Sequence, residues 1–303
     1  MTMLRRKFIQ QGSALAAGAL LIPRAFSKPL YQDPWTISML NKTTGVFTEK
    51  GGTILFQVAK DNIIVVDTEF PEQADHLITV IKGKSSRPVS VLINTHHHGD
   101  HTSGNISFKS MADQVVAHAN SLKNQRTVAI RQKTEDKQYF PNSTFTEKWS
   151  GKFGRETVSM HYFGPAHTDG DSLVYFETSG IVHMGDLINN RRYPYIDRTA
   201  GASIKGWISV LNKTLTTFDD KTTFVFGHAT EGFPVYGKKE AIVAMKSYFE
   251  RLLEFTGKEI QSGITKEAFL KNTSIPGVTE WVGDGIERSL TAAWEELTES
   301  KQS

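Results

Sequence analysis

Apolar and polar positions alternate along this chain in short β-rich runs, broken by a few stretches of helical period. Thr53 to Val58 and Asn62 to Asp67 read as two strands joined at Lys60-Asp61 in a hairpin. Pro71 to Lys82 reads as a helix, with Ala74, Leu77, Ile78 and Ile81 on one face. Val89 to Asn94 has the pattern of a buried strand and runs straight into Thr95-His96. Further strands are expected at Val115 to Ala117, Thr157 to Phe163, Leu173 to Phe176, Ile181 to Met184 and Thr223 to Phe226. Two later helices carry apolar stripes, one through Ile242, Met245, Phe249 and Leu252, the other through Ile286, Leu290, Trp294 and Leu297. Both stripes read as core. Lys133 to Lys137 reads as an exposed loop. Hairpins mixed with strand–helix units imply an α+β fold of sheets sandwiched by helices.

Composition fits that picture: of 303 residues, 39% are apolar and 22% charged, enough for a large core. The net charge of +3 would suggest nucleic acid if it were spread over the fold. It is not, because Arg5, Arg6, Lys7 and Arg24 stand in the first 27 residues without an acidic neighbour. The remainder is close to neutral, and no electrostatic case for DNA or RNA survives. Those 27 residues read as a signal peptide: a basic start, an Ala-rich apolar stretch from Ala14 to Ile22, and the small-x-small site Ala25-Phe26-Ser27 before Lys28. The Arg5-Arg6 pair followed by Phe8 and Ile9 resembles a twin-arginine signal, which implies a periplasmic or exported enzyme folded before transport. Residues 28–303 are expected to form one domain with no membrane span. With no cysteine, neither a disulfide nor a thiolate ligand or nucleophile is available.

The chemistry concentrates in His96-His97-His98-Gly99-Asp100-His101, four of the ten histidines in six residues just past a strand. His96 and His98 are two apart, so in an extended segment they point the same way and can share one metal ion. Asp100 and His101, offset along the turn, can reach a second, with Gly99 permitting the bend between the pairs. His97 points the other way and is excluded as a ligand.

Thr95-His96-x-His98-x-Asp100-His101 resembles the signature of the metallo-β-lactamase superfamily. The resemblance covers roughly residues 45 to 260 and implies an αββα sandwich with its site at one edge. It also implies a role for four more residues. His167, in Gly164-Pro165-Ala166-His167, matches the third ligand of the first metal, and Asp186, in Gly185-Asp186, the carboxylate bridging both metals. His228, in Gly227-His228, resembles the last ligand of the second metal, and Asp67 a carboxylate supporting the ligands from behind. His76, His118, His161 and His183 match no role and read as structural or exposed.

The N and O donor set suits two zinc ions, and also iron or manganese. The resemblance implies a hydroxide nucleophile made on zinc, with Asp100 as catalytic residue orienting it or passing a proton. A site rich in positive charge favours a small-molecule substrate that is anionic or has a polarised carbonyl. The β-lactamase branches usually carry Cys or Ser where Asp186 stands, whereas a bridging Asp is typical of glyoxalase-II-like thioesterases, lactonases and phosphoesterases. Hydrolysis of a lactone, ester or β-lactam-like amide is therefore expected. The alternatives are a mononuclear iron enzyme resembling persulfide dioxygenases, or a phosphoesterase. Arg191, Arg192, Tyr193 and Tyr195 follow Asp186 closely and are candidates to line the substrate pocket.

Overall fold

Strands rich in Val, Ile and Phe are covered on both faces, and this produces the layering of the chain. The computed structural model describes residues 34–299, and the expected signal peptide lies outside them. Seven strands form the first sheet in chain order: β1 (Thr36–Met39), β2 (Thr44–Thr48), β3 (Ile54–Val58), β4 (Ile63–Val66), β5 (Val91–Ile93), β6 (Val115–His118) and β7 (Ser143–Phe145). Pairing is antiparallel from β1 to β4 and parallel from β4 to β7. The hairpin at Lys60-Asp61 is present, with Val58 opposite Ile63. The second sheet contains β8 (Lys148–Phe153), β9 (Glu156–His161), β10 (Leu173–Phe176), β11 (Ile181–His183), β13 (Thr223–Val225) and β15 (Tyr236–Gly237). A parallel ribbon of β12 (Asn189–Asn190) and β14 (His228–Ala229) completes the strands.

Alternate residues serve opposite faces, as the two-residue period requires. Leu55, Ile64, Val66 and Ile93 meet Val158, Met160, Val174 and Phe176 between the sheets. Ile54, Phe56, Ile63 and Val65 turn the other way, onto Leu77, Ile78 and Ile81 of α1 (Pro71–Lys82). The outer face of the second sheet is covered by α4 (Ile204–Thr217), α5 (Lys239–Gln261) and α7 (Ile286–Glu299), around Trp207, Phe249 and Leu290. The order is helix, sheet, sheet, helix, the αββα sandwich expected. The short helices α2 (Gly99–Thr102) and α6 (Lys266–Phe269) and the longer α3 (Ala119–Gln132) complete the set. No helix among the described residues is long and apolar enough to cross a membrane.

Several expected strands end early. Asp67, Asn94, Met184 and Phe226 stand just past the last paired residue of their strands, where the chain leaves the sheet for the loops of the site.

Candidate metal centre

Loops leaving one end of the two sheets carry every candidate ligand. His96 to His101 follow β5, with His98 extended at φ −64° and ψ 147° immediately before α2. His167 lies between β9 and β10, Asp186 follows β11, and His228 begins β14. Gly99 does not adopt a left-handed conformation, so the bend there is made by helix entry and not by the backbone freedom of glycine.

Two donor sets border the pocket, and a third cluster, His97, His98 and Asp197, lies beside the first. Ligand atoms of His96, His98, His167 and Asp186 lie within 4.8 Å of one another, as do those of Asp100, His101 and His228. In the first, His98 Nδ1 is 3.2 Å from His96 Nε2 and 2.9 Å from His167 Nε2. In the second, His228 Nε2 is 3.1 Å from Asp100 Oδ2. Asp186 stands between: its Oδ1 is 3.0 Å from His101 Nε2 and 3.4 Å from His228 Nε2, and its Oδ2 is 3.6 Å from His167 Nε2.

The other nitrogen of four rings is tied to an acceptor, which fixes the tautomer. His167 Nδ1–H donates to the Tyr195 carbonyl at 2.7 Å, and His98 Nε2–H to Asp197 Oδ2 at 3.0 Å. His101 Nδ1–H donates to Asp67 Oδ2 at 2.8 Å. His96 Nδ1 is 3.0 Å from Thr95 Oγ1, whose own hydroxyl donates to Asp67 Oδ2 at 2.7 Å. Three nitrogen lone pairs from His96, His98 and His167 therefore face one another with no donor among them. Buried His101 Nε2 and Asp186 Oδ1 also make no hydrogen bond, although they are 3.0 Å apart. The converging lone pairs of His96, His98 and His167 lack only a cation, and His101 Nε2 beside Asp186 can exchange a proton for one, so these residues fit metal ions.

Asp67, fully buried, takes φ +61°, a left-handed conformation uncommon for a residue with a side chain. There it accepts from Thr95 N at 2.8 Å as well as from Thr95 Oγ1 and His101. Close packing depends on missing side chains. A Cβ at Gly52 would overlap the His101 ring, and one at Gly227 would overlap Asp186 Oδ1.

Burial holds His96 neutral, reinforced by the charge of His101, and holds His167 down at about 4, reinforced by His98. Burial opposes charge on His101 and His228 too, but there Asp186 and Asp100 outweigh it. His101 is raised well above the usual imidazole range, and His228 is pushed up to about 9.

His97 is in neither donor set. It is buried with Nε2 3.7 Å from Asp197 Oδ2 and Nδ1 unpartnered, and burial depresses it to about 3. His183 bridges Thr53 O and Gly185 N, His118 caps α3, His161 contacts Ser159, and His76 pairs with Glu49.

An open pocket of about 320 Å³ lies over the centre, bordered by Asp100, Asp186, His228, Arg192, Tyr193 and Tyr195. Arg191 corrects its expectation: it turns from this pocket to Glu280 at 3.2 Å, beside the rings of Phe233 and Trp281. The reason is backbone geometry, since Arg191 takes φ +60° and sends successive side chains apart. Two residues escaped the sequence reading. Asp197 sits in an ordinary-looking Asp-Arg-Thr turn, and Arg288, on α7, borders the same pocket. Nothing in the local sequence of Arg288 signals that placement.

Residues 48–228 match the family model of the metallo-beta-lactamase superfamily. The metallo-beta-lactamase type 2 of Bacillus cereus is 24% identical over 207 residues, 65% of this chain and 77% of that protein. The 2,4-dinitroanisole O-demethylase subunit alpha of Nocardioides sp. (strain JS1661) is 29% identical over 175 residues, 55% of this chain and 47% of that one. Among solved structures, a metallo-beta-lactamase from Pontibacter korlensis superposes with a TM-score of 0.59 at 19% identity, covering 71% of this chain and 99% of that one. A double mutant of the sec-alkyl sulfatase PisA1 superposes with a TM-score of 0.68 at 11% identity, covering 86% and 50%. These structural likenesses are of fold alone. Matched by the family model over more than half its length, the chain belongs to the metallo-beta-lactamase superfamily.

Proposed function

We propose that this chain is an exported binuclear zinc hydrolase that cleaves an acyl bond in a small molecule: a lactone, an ester or a β-lactam-like amide. One observation carries the reading. Asp186 turns one carboxylate oxygen to His101 and His228 and the other to His167, so a single side chain serves both donor sets. His96, His98 and His167 would hold one ion, and Asp100, His101 and His228 the other, with Asp186 between them. When bound, two such ions supply Lewis acidity, lowering the pKa of water to about 7 and polarising a carbonyl. Water then adds OH to the acyl carbon as the bond to the leaving group breaks, and the leaving group departs with a proton. Asp100, 32% exposed at its side chain and bordering the pocket, is the chain's own group placed to move that proton at Oδ. Tyr193 and Tyr195 wall the pocket and orient the substrate.

The test is metal analysis together with a zinc-loaded assay across β-lactams, acyl lactones, esters, thioesters and phosphoesters. An aryl ether is added because of the O-demethylase relative. Two zinc ions per chain and acyl hydrolysis abolished in Asp186→Ala, with at least part of the metal lost, are expected. One iron per chain with persulfide oxidation would overturn the reading, and wild-type activity in Asp186→Ala would refute the bridging role.

A further inference from the structure

A second cavity, of about 580 Å³, opens at the end of the sandwich opposite the metal centre. The candidate ligands follow the ends of β5, β9, β11 and β13. This cavity lies instead among the turns that lead into β4, β9 and β11, so both sheets line it. Two side-chain amides in its wall tie the sheets together. Gln57 Nε2 donates to Glu156 Oε2 at 3.2 Å, and Asn62 Nδ2 to the Phe153 carbonyl at 2.8 Å. Gln57 is 3% exposed and Asn62 2%, yet Gln57 Oε1 and Asn62 Oδ1 receive no hydrogen bond. Buried polar atoms are nearly always partnered, so these two oxygens call for donors. Glu156, also buried, accepts from Thr178 N at 2.8 Å and Ser179 Oγ at 2.6 Å as well as from Gln57. These neutral donors leave its charge unbalanced, because among the described residues it stands in no ion pair. Lys60, Arg87 and Arg155 are exposed around the mouth and, among the described residues, are likewise unpaired. The one acidic group beside them, Asp61, is packed on Gly154, where a Cβ would overlap its carboxylate. The cavity thus carries orphaned acceptors and negative charge in its wall, and positive charge at its mouth.

We propose that this cavity binds a small zwitterion, an α-amino acid with an acidic side chain, holding its ammonium inward and its carboxylates at the mouth. An ammonium brings three donors, one for each orphaned oxygen and one for Glu156, whose charge it balances. Carboxylates match the guanidinium forks of Arg87 and Arg155. The volume is in the range of pockets that hold small molecules. A plain anion would answer the mouth and leave the acceptors unmet, and a plain cation would do the reverse. The site is separate from the substrate pocket, since β4 and β11 run from its turns towards Asp67 and Asp186 at the other end. It stands apart from the hydrolase reading, because none of its residues borders the metal centre.

The test is calorimetric titration of the zinc-loaded full chain with L-glutamate, with glutarate, which lacks the ammonium, and with γ-aminobutyrate, which lacks the α-carboxylate. L-Glutamate should bind at one site at least about tenfold more tightly than either analogue, the size of a charge-assisted hydrogen bond. Arg87→Gln combined with Arg155→Gln should weaken its binding by about tenfold or more. Both side chains are exposed, so the fold is kept. Glu156→Gln removes the charge and keeps the shape; it should erase the preference for L-glutamate over glutarate, with thermal unfolding as the check that the variant is folded. No saturable binding of L-glutamate, or equal affinity for glutarate, overturns the proposal. So does binding unchanged in the double arginine variant, which leaves the metal centre intact and would place the amino acid on zinc instead.

Discussion

Four of the five imidazoles in the centre are aimed by what lies behind them. A histidine whose outer N–H is held by a carboxylate or carbonyl presents its other nitrogen as a lone pair, and here Asp67, Asp197, Thr95 and the Tyr195 carbonyl do that work. Asp67→Asn removes the charge behind His101 and should weaken metal binding by about 10–100-fold while the fold is kept. Competition with a chelator measures this, and unchanged affinity would dismiss the supporting role. The protonation of the metal-free centre gives a second expectation. Burial opposes the charge on His228, but Asp186 and Asp100 raise it from 6.5 to about 9, so metal uptake near neutral pH must displace a proton. Affinity should fall as the pH is lowered from about 9, with proton release visible in buffers of different ionisation enthalpy. The same raised pKa stabilises the metal-free fold fully below 6.5, and that contribution is lost as the pH rises through about 9. Uptake independent of pH would show that these carboxylates do not hold the proton.

Elements were legible where their burial was apolar and periodic. The pattern in Pro71 to Lys82 predicted α1 with its observed bounds, and Ala74, Leu77, Ile78 and Ile81 are all buried. Leu77→Ala empties a fully buried position away from the centre and should cost about 2–5 kcal/mol of stability with metal content unchanged. Denaturant unfolding checks this, and a loss under 1 kcal/mol would mean that the layer collapses around the gap. Other elements escaped the pattern for physical reasons. The helix α3 buries only Ser121, Gln125 and Ala129, a stripe without strong hydrophobicity. In α4, Ile204, Trp207, Val210, Leu211 and Thr214 form a buried face, but a segment rich in Thr, Val and Ile reads as strand before helix. The strand β8 alternates exposed and half-buried positions and lacks any fully buried residue to mark it.

At the scale of the whole molecule, the sandwich brings residues 67 to 228 to one end of two sheets, and α7 adds Arg288 at the rim. Export is a separate expectation, carried by Arg5 and Arg6. Replacing both by Lys should hold the protein in the cytoplasm, as fractionation would show, and an unchanged periplasmic yield would refute a twin-arginine route. The sequence by itself determined the layering of sheets and helices and four candidate ligands, because both are written locally: in apolar periods of two and 3.6 residues, and in a His-rich run whose spacing sets which side chains share a face, whereas His167, Asp186 and His228 were implied only by the family resemblance. Only the tertiary structure decided that Arg191 turns away while Arg192 stays, that Asp197 backs His98, and that Arg288 faces the same pocket from α7. Those facts depend on a left-handed residue at one bend and on the packing of distant segments, and neither leaves a mark in the neighbouring residues.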